Sequence, residues 1–236
     1  MAVQAADGVG VEGGGEDGAV VAEVEQGGAG VGVDAVGVGE AGGLAAAMGG
    51  RRIEAILLTH THGGMADDFL AHYPGAGIVL GPQGPRATVG RQARHGELLG
   101  FGSESIRVIA TPGHTADSLS YLWRDRLFCG GLLAVDACPF QPRPAQPEAM
   151  WNSVTREVFT LPGETLIFRG HAIRSRSVSN VLEERRWHPW FAGASRDEFL
   201  ARVRDVPPSM PLSVATMSHP QARRARAEML HPADSR

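Results

Sequence analysis

The sequence predicts an α/β protein, and three observations lead to this class. Across residues 51–236, short apolar runs typical of strands alternate with amphipathic runs typical of helices, with turn residues between them. Several predicted strands are followed at once by histidines, and α/β proteins commonly place their chemistry at strand ends. The length of 236 residues suits one large α/β domain with a sizeable core.

The first 50 residues differ from the rest in charge and glycine content. They contain eight acidic residues, neither Arg nor Lys, and half of the 32 glycines. We expect residues 1–18 to be disordered, because this Gly-rich acidic segment buries little apolar surface. Residues 19–236 are expected to form a single domain with a frayed tail from Gln221. Within it, GAVVAEV and GVGVDAV alternate like strands, and EAGGLAAAM favours a short helix.

Predicted strands and helices follow one another from residue 51 onward. The strands are apolar runs bounded by turn residues, and they cover residues 53–59, 78–80, 106–110, 119–123, 126–129 and 165–168. The helices cover residues 148–160, 177–186 and 196–204, with a further helix that Asp67 or Asp68 begins and His72 ends. Ser195 is the predicted cap of the last helix, and the proline-rich residues 138–147 are predicted to be a loop.

Composition argues against several classes of partner. A net charge of −4 gives no bulk basic surface for nucleic acid. No apolar run approaches the roughly 18–20 residues of a membrane span, and no basic segment followed by an apolar run marks a secretory signal. Two cysteines do not make a disulfide framework. We therefore expect a cytoplasmic protein that binds neither nucleic acid nor membrane.

Four histidines follow predicted strands. His60 and His62 come after residues 53–59, His114 after residues 106–110, and His171 after residues 165–168. Neutral imidazole is the commonest metal-ligand side chain, and three or four imidazoles match a Zn²⁺ or non-haem iron site. An isolated H-x-H pair is also compatible with ordinary turn chemistry. The four histidines together are candidate metal ligands.

Four motifs occur in a characteristic order: THTH at residues 59–62, TPGHT, FCGG and RGH. This order resembles the metallo-β-lactamase superfamily, and within it the persulfide dioxygenase (sulfur dioxygenase) group and its relative glyoxalase II. The stretches IRVIATPGHTADSLSYL and WNSVTREVFTLPGETLIFRGH are similar to that group as well. The resemblance implies an αββα sandwich with the metal at one edge between two sheets. It also implies a small-molecule substrate, such as a glutathione-type thiol, and a homodimer.

The sequence departs from the superfamily pattern at three ligand positions. The motif H-x-H-x-D-H has Gly64 and Met65 in place of its Asp and last His, and the bridging carboxylate falls on Gly131. Glycine cannot ligate through a side chain, so a centre of two bridged metals is not expected. The carboxylate of the persulfide dioxygenase iron triad would also fall on Gly131.

The resemblance leaves one complete metal site. Its ligands are His60, His62 and His114, while the second site keeps only His171. One divalent metal, Fe or Zn, is therefore expected. Five further side chains are candidates to replace the missing ligand or to act beside the metal: Asp67, Asp68, Asp136, Cys129 and Cys138. The alternative for the first two is helix capping, and for the cysteines it is burial as unreactive thiols.

Three functional hypotheses follow from these residues. The first is an enzyme that resembles persulfide dioxygenase, binds one metal and acts on a thiol, persulfide or thioester small molecule. The second is a catalytically inactive binding or regulatory member of the fold. The third is a mononuclear zinc hydrolase of a thioester or ester. A fold of this kind hosts several chemistries, so the site has to distinguish them.

Overall fold

A computed structural model describes nine segments of the chain: residues 2–5, 9–12, 29–33, 52–60, 75–82, 90–101, 104–135, 143–173 and 176–206. Five predicted features lie wholly or partly outside these residues. They are the strand GAVVAEV, the helix EAGGLAAAM, the helix begun by Asp67 or Asp68, the loop over residues 138–147 and the tail from Gln221.

The regular elements in this part of the chain are mostly strands. The strands are β1 (Ala2–Ala5), β2 (Val9–Glu12), β3 (Ala29–Val33), β4 (Arg52–Leu57), β5 (Gly77–Leu80), β6 (Arg91–Gln92), β7 (Leu98–Phe101), β8 (Glu104–Ala110), β9 (Leu119–Trp123), β10 (Arg126–Gly130), β11 (Leu166–Ile173) and β12 (Arg176–Asn180). The helices are α1 (Pro147–Asn152), which continues as a π-helix over Ser153–Val158, α2 (Val181–Trp187) and α3 (Arg196–Asp205).

The strands form two large sheets and one separate hairpin. The six-stranded sheet has the order β12-β11-β10-β9-β8-β7. Its β10 and β11 are parallel, and its other neighbouring pairs are antiparallel. The four-stranded sheet has the order β3-β4-β5-β6 and is parallel throughout. The carboxyl ends of its strands therefore lie at one edge.

Alternating side chains of the six-stranded sheet pack on its two faces. In β10, Phe128 belongs to one apolar cluster, while Leu127 and Cys129 belong to another. The first cluster includes Leu57 and Val79 of the four-stranded sheet, so it fills the space between the sheets. The second cluster contains helical side chains, among them Met150, Val154, Val181, Phe199 and Val203. The described residues thus stack sheet on sheet on helices, which are three layers of the expected αββα sandwich.

Most predicted elements are confirmed. Strands occur at each of the six predicted places, and α3 begins at the predicted cap. The Ser195 hydroxyl accepts from the backbone N–H of Glu198, whose carboxylate accepts from Ser195 N–H, which is a complete capping box. The helix predicted over residues 148–160 begins at Pro147, where the missing N–H costs nothing, and its second half is a π-helix.

The start of the helix predicted over residues 177–186 is wrong. Residues Arg176–Asn180 pair with β11 as strand β12, and the helix begins only at Val181. Asn180 caps it, because its side-chain oxygen accepts from Glu183 N–H at 2.9 Å. Pairing with a neighbouring strand outweighed local helix propensity here.

Two further differences concern segments rich in glycine or small residues. Strands β6 and β7 were not predicted, since β6 has two residues and β7 contains Gly100. Ala2–Ala5 and Val9–Glu12 pair as an antiparallel hairpin, while the disorder expected for residues 1–18 as a whole stays a prediction. Backbone pairing alone can form such a hairpin, although a two-stranded hairpin has little stability by itself.

Candidate functional site

His60 lies directly beyond β4, at the carboxyl edge of the parallel sheet. Leu58 N–H donates to Val79 O at 2.8 Å and keeps this end of the chain beside β5. The His60 side chain is buried, and its Nδ1 lies 2.9 Å from the Thr59 hydroxyl. When Nδ1–H donates to that hydroxyl, Nε2 carries the lone pair that a metal requires. Thr59 thus contacts His60 at Nδ1, a contact that its position before the H-x-H pair did not reveal.

His114 lies in the loop between β8 and β9, and this loop rests on the helical layer. Gly113 has φ +151°, which favours glycine, and a Cβ there would come within 2.4 Å of Met150 Cα in α1. Ser153 Oγ–H, in the π-helix, donates to Pro112 O at 2.8 Å. The loop of His114 is thus fixed from the side opposite to the four-stranded sheet.

The imidazoles of His60 and His114 meet edge to face. Their ring centroids are 4.8 Å apart, and the ring planes cross at 82°. Both residues are buried, at 4% and 1% exposure, although they follow strands of different sheets. Leu119 N–H donates to Thr59 O at 2.7 Å and joins the two loops. The structure therefore brings together two of the four predicted histidines at the edge between the sheets.

Gly131 lies against the ring of His114. A Cβ on Gly131 would be 2.3 Å from His114 Cδ2 and 2.5 Å from its Nε2, far inside any ordinary contact. The imidazole occupies the space that the first side-chain atoms of a carboxylate residue at this position would need. Gly131 is not among the glycines with positive φ, whereas its neighbour Gly130 is, at +52°. The exclusion of a side chain at Gly131 is thus steric and does not come from backbone strain.

His171 lies within a strand, and the prediction that it follows the strand is wrong. β11 continues from Leu166 to Ile173 and includes it. The register of β11 with β12 shifts between Phe168 and Ile173, so this part of the strand is irregular. Irregular strand segments often lie beside functional sites because they change the direction of side chains. The sequence shows only an apolar run that ends at Phe168, which explains the early end of the prediction.

The other candidate residues divide into one that is described and five that are not. Cys129 is buried in the cluster between the six-stranded sheet and the helices. This placement agrees with the alternative of a buried thiol. His62, Asp67, Asp68, Asp136 and Cys138 lie outside the described residues.

The described residues include two of the expected metal ligands. Within them, no three side chains of His, Cys, Asp or Glu form a group that could hold a metal. His60 and His114 supply two neighbouring buried imidazoles, and a third donor would come from His62. Glycine at position 131 offers no bridging carboxylate, and the His114 ring fills the space beside it. The described residues thus offer an ion two imidazoles and no bridging carboxylate at position 131.

A second buried group was missed by sequence reasoning. Arg169 in β11 pairs with Glu184 in α2, and both side chains are almost completely buried. His188 is also buried, and its Nε2 lies 3.9 Å from Glu184 Oε2. The motif RGH contained the only sign of this group, an Arg inside an apolar strand.

Comparison with known proteins identifies chains of similar architecture. No family model matches the chain. Its fold matches the crystal structure of BLEG-1 B3 metallo-β-lactamase with a TM-score of 0.59 and 21% identity, over 78% of this chain and 98% of that one. The crystal structure of ETHE1 from Myxococcus xanthus matches with a TM-score of 0.74 and 28% identity, over 92% and 96% of the two chains. The chain has the metallo-β-lactamase fold.

Among proteins of this fold the chain is similar to the glyoxalase II and ETHE1-like group. Hydroxyacylglutathione hydrolase of Yersinia enterocolitica is 37% identical over 128 residues, which are 50% of this chain and 47% of that protein. The chain spans about half the length of the curated relatives that it matches. No helix among the described residues is long and apolar enough to cross a membrane.

Proposed function

We propose that this chain binds a single divalent metal through His60, His62 and His114 and hydrolyses a small-molecule thioester of the glutathione type. The observation that carries the proposal is the contact of two buried imidazoles, 4.8 Å apart, beside a glycine that supplies no carboxylate. Three neutral ligands leave the ion its full charge, and such an ion acidifies a bound water and polarises a carbonyl oxygen.

The residues of the chain would prepare the site for that ion. With its Nδ1–H donating to the Thr59 hydroxyl, 2.9 Å away, the His60 ring would offer Nε2 to the metal. Burial of both rings removes competing water from the ligands. The loop of His114 is held on the helical layer by the contacts that Gly113, Met150 and Ser153 make. A site built in this way needs little rearrangement when the ion binds.

The proposed substrate class rests on sequence similarity. The hydroxyacylglutathione hydrolase that is 37% identical is named for a glutathione thioester. In hydrolysis, water adds to the acyl carbon, the C–S bond breaks, and the thiol leaves with a proton. This reaction consumes no oxidant, so the carboxylate absent at Gly131 is less critical than in an oxygen-activating iron site.

A second candidate is oxygenation of a persulfide with one iron ion. The observation in its favour is the extensive match to ETHE1, over 92% of this chain, together with the persulfide dioxygenase resemblance of the motifs. The glycine at position 131 disfavours it, since the expected iron triad has a carboxylate there.

The experiment measures metal binding and two activities on the same preparations. Protein is stripped of metal, loaded with Zn²⁺ or anaerobically with Fe²⁺, and tested for hydrolysis of a 2-hydroxyacyl thioester of glutathione and for oxygen uptake with glutathione persulfide. We expect thioester cleavage that His60→Ala and His114→Ala abolish. His95→Gln changes an exposed histidine and serves as the matched control.

Each outcome selects one hypothesis. Cleavage without oxygen uptake agrees with the hydrolase, and oxygen uptake with Fe²⁺ selects the second candidate. Protein that holds no metal, or that holds one and performs neither reaction, contradicts both and leaves the inactive binding or regulatory member.

A further inference from the structure

A buried ion pair joins the strand that carries His171 to helix α2. The side chains of Arg169 and Glu184 are 7% and 5% exposed, and Arg169 also donates to Ser179 Oγ at 3.0 Å. Removing a guanidinium and a carboxylate from water costs several kcal/mol each. Buried pairs of this kind are often no more stabilising than apolar side chains of similar size. Stability alone is therefore a weak reason for the pair.

The same carboxylate faces a histidine that holds the loop after β10. Glu184 Oε2 lies 3.9 Å from His188 Nε2, and that nitrogen is 3.0 Å from Leu133 O. Trp190 N–H donates to His188 Nδ1 at 3.2 Å, which makes Nδ1 the acceptor. The ring proton consequently lies on Nε2, which donates to Leu133 O. Helix α2, which carries Glu184 and ends at its C-cap His188, thus connects Arg169 in β11 with the backbone two residues after Gly131.

The connected segments are both irregular, and Gly131, just after one of them, lies against the His114 ring. The register of β10 with β11 shifts between Phe128 and Gly130, and Gly130 pairs with Arg169. The register of β11 with β12 shifts between Phe168 and Ile173, a stretch that contains Arg169 and His171. Where strand pairing is irregular, ladder hydrogen bonds fix the backbone less firmly. Side-chain contacts have to supply the missing constraint.

We propose that Arg169 is a positioning residue for the metal site and acts through Glu184 and His188. The network holds the loop of Gly131, on whose backbone the His114 ring rests, against the strand segment that carries His171. It thereby sets the direction of the His114 imidazole toward the ion. The inference rests on the proposed function, since it requires that the site binds a metal.

The test compares metal affinity with the stability of the metal-free protein. Arg169→Met/Glu184→Leu replaces the pair by apolar side chains of similar size. We expect its melting temperature without metal to stay within a few degrees of the parent chain, because such replacements are often neutral. The Zn²⁺ affinity should fall about 10–100-fold, as is usual when groups that orient metal ligands are removed, and the absorption spectrum of bound Co²⁺ should change.

Two further variants make the outcome decisive. Glu104→Gln/Arg124→Met removes a partly exposed pair at the turn between β9 and β10 and should leave affinity and spectrum unchanged. Arg169→Lys keeps the charge but not the planar guanidinium, and it should lower the affinity less than the double variant does. If the double variant fails to fold, Arg169→Lys decides, and unchanged affinity in either variant overturns the inference. Failure of the parent chain to bind any metal would instead overturn the proposed function, and the inference with it.

Discussion

The contact between Gly131 and His114 gives the sharpest prediction. Gly131→Ala adds one methyl group whose carbon would lie 2.3 Å from His114 Cδ2, 2.5 Å from Nε2 and 2.7 Å from Cγ. Ordinary carbon–carbon contacts are about 3.5–4.0 Å, so the ring has to withdraw by more than about 1 Å. It has little room to do so, because the His60 ring lies on another side, with centroids 4.8 Å apart.

The expected cost follows from overpacking. Extra methyl groups in a well-packed interior destabilise by about 1–3 kcal/mol. For a chain of 236 residues, each kcal/mol corresponds to about 2–4 °C in melting temperature, so we expect a fall of about 2–12 °C. Displacement of the ring should also weaken Zn²⁺ binding. Backbone strain does not contribute, since Gly131 is not among the glycines with positive φ.

The assay is urea and thermal unfolding of metal-free protein, followed by a Zn²⁺ titration. Gly100→Ala is the control, because a Cβ at this exposed strand position meets nothing within 4 Å and should leave both measurements nearly unchanged. Equal stability and equal Zn²⁺ affinity for Gly131→Ala and the parent chain would refute the packing of His114 on Gly131. Gly131→Asp carries the same Cβ, so we expect the same loss without metal, together with higher Fe²⁺ occupancy if the new carboxylate reaches the ion.

Three further predictions concern the metal, the N-terminus and pH. Elemental analysis should find at most one tightly bound metal per chain; two would show that other residues replace the ligands absent at Gly64, Met65 and Gly131. Deletion of residues 1–18 should leave the melting temperature unchanged, because the β1–β2 hairpin pairs only with itself in the described sheets; a large fall would show that it is docked. Hydrogen bonds from Arg124, which has the larger effect, and from Trp123 lower the pKa of Glu104. The stability that Glu104 contributes is therefore present above the usual Glu pKa and is lost as the pH falls through the lowered value. Glu104→Gln should accordingly be less stable than the parent at neutral pH, with the gap closing in acid urea denaturation.

Local chemistry made most elements predictable. The capping box at Ser195 and Glu198 involves residues close in sequence, and it located α3 to within a residue. Strands such as Leu119–Trp123 have apolar residues on both faces because one face meets the other sheet and the opposite face meets helices. By contrast, β7 and β12 depend on their partner strands, which local sequence does not specify.

The site was predictable in its residue types but not in its packing. Histidines after strands indicated which imidazoles would converge, and His60 and His114 do so. The occupation of the space beside Gly131 depends on a side chain 17 positions away in sequence. The network of Arg169, Glu184 and His188 likewise joins three elements. Neither arrangement has a repeating spacing that sequence inspection can detect.

His60 and His114 follow strands of two sheets that have different folding requirements. Strands β7 to β10 pair with their sequence neighbours, so this part of the six-stranded sheet closes only short loops. The parallel strands β3 to β6 require long crossover connections, and contacts between distant residues form slowly. We therefore expect the loop of His114 to be in place first, and His60 to arrive when the parallel sheet docks. Where this docking follows the main barrier, a metal that binds both rings should slow unfolding more than it speeds folding.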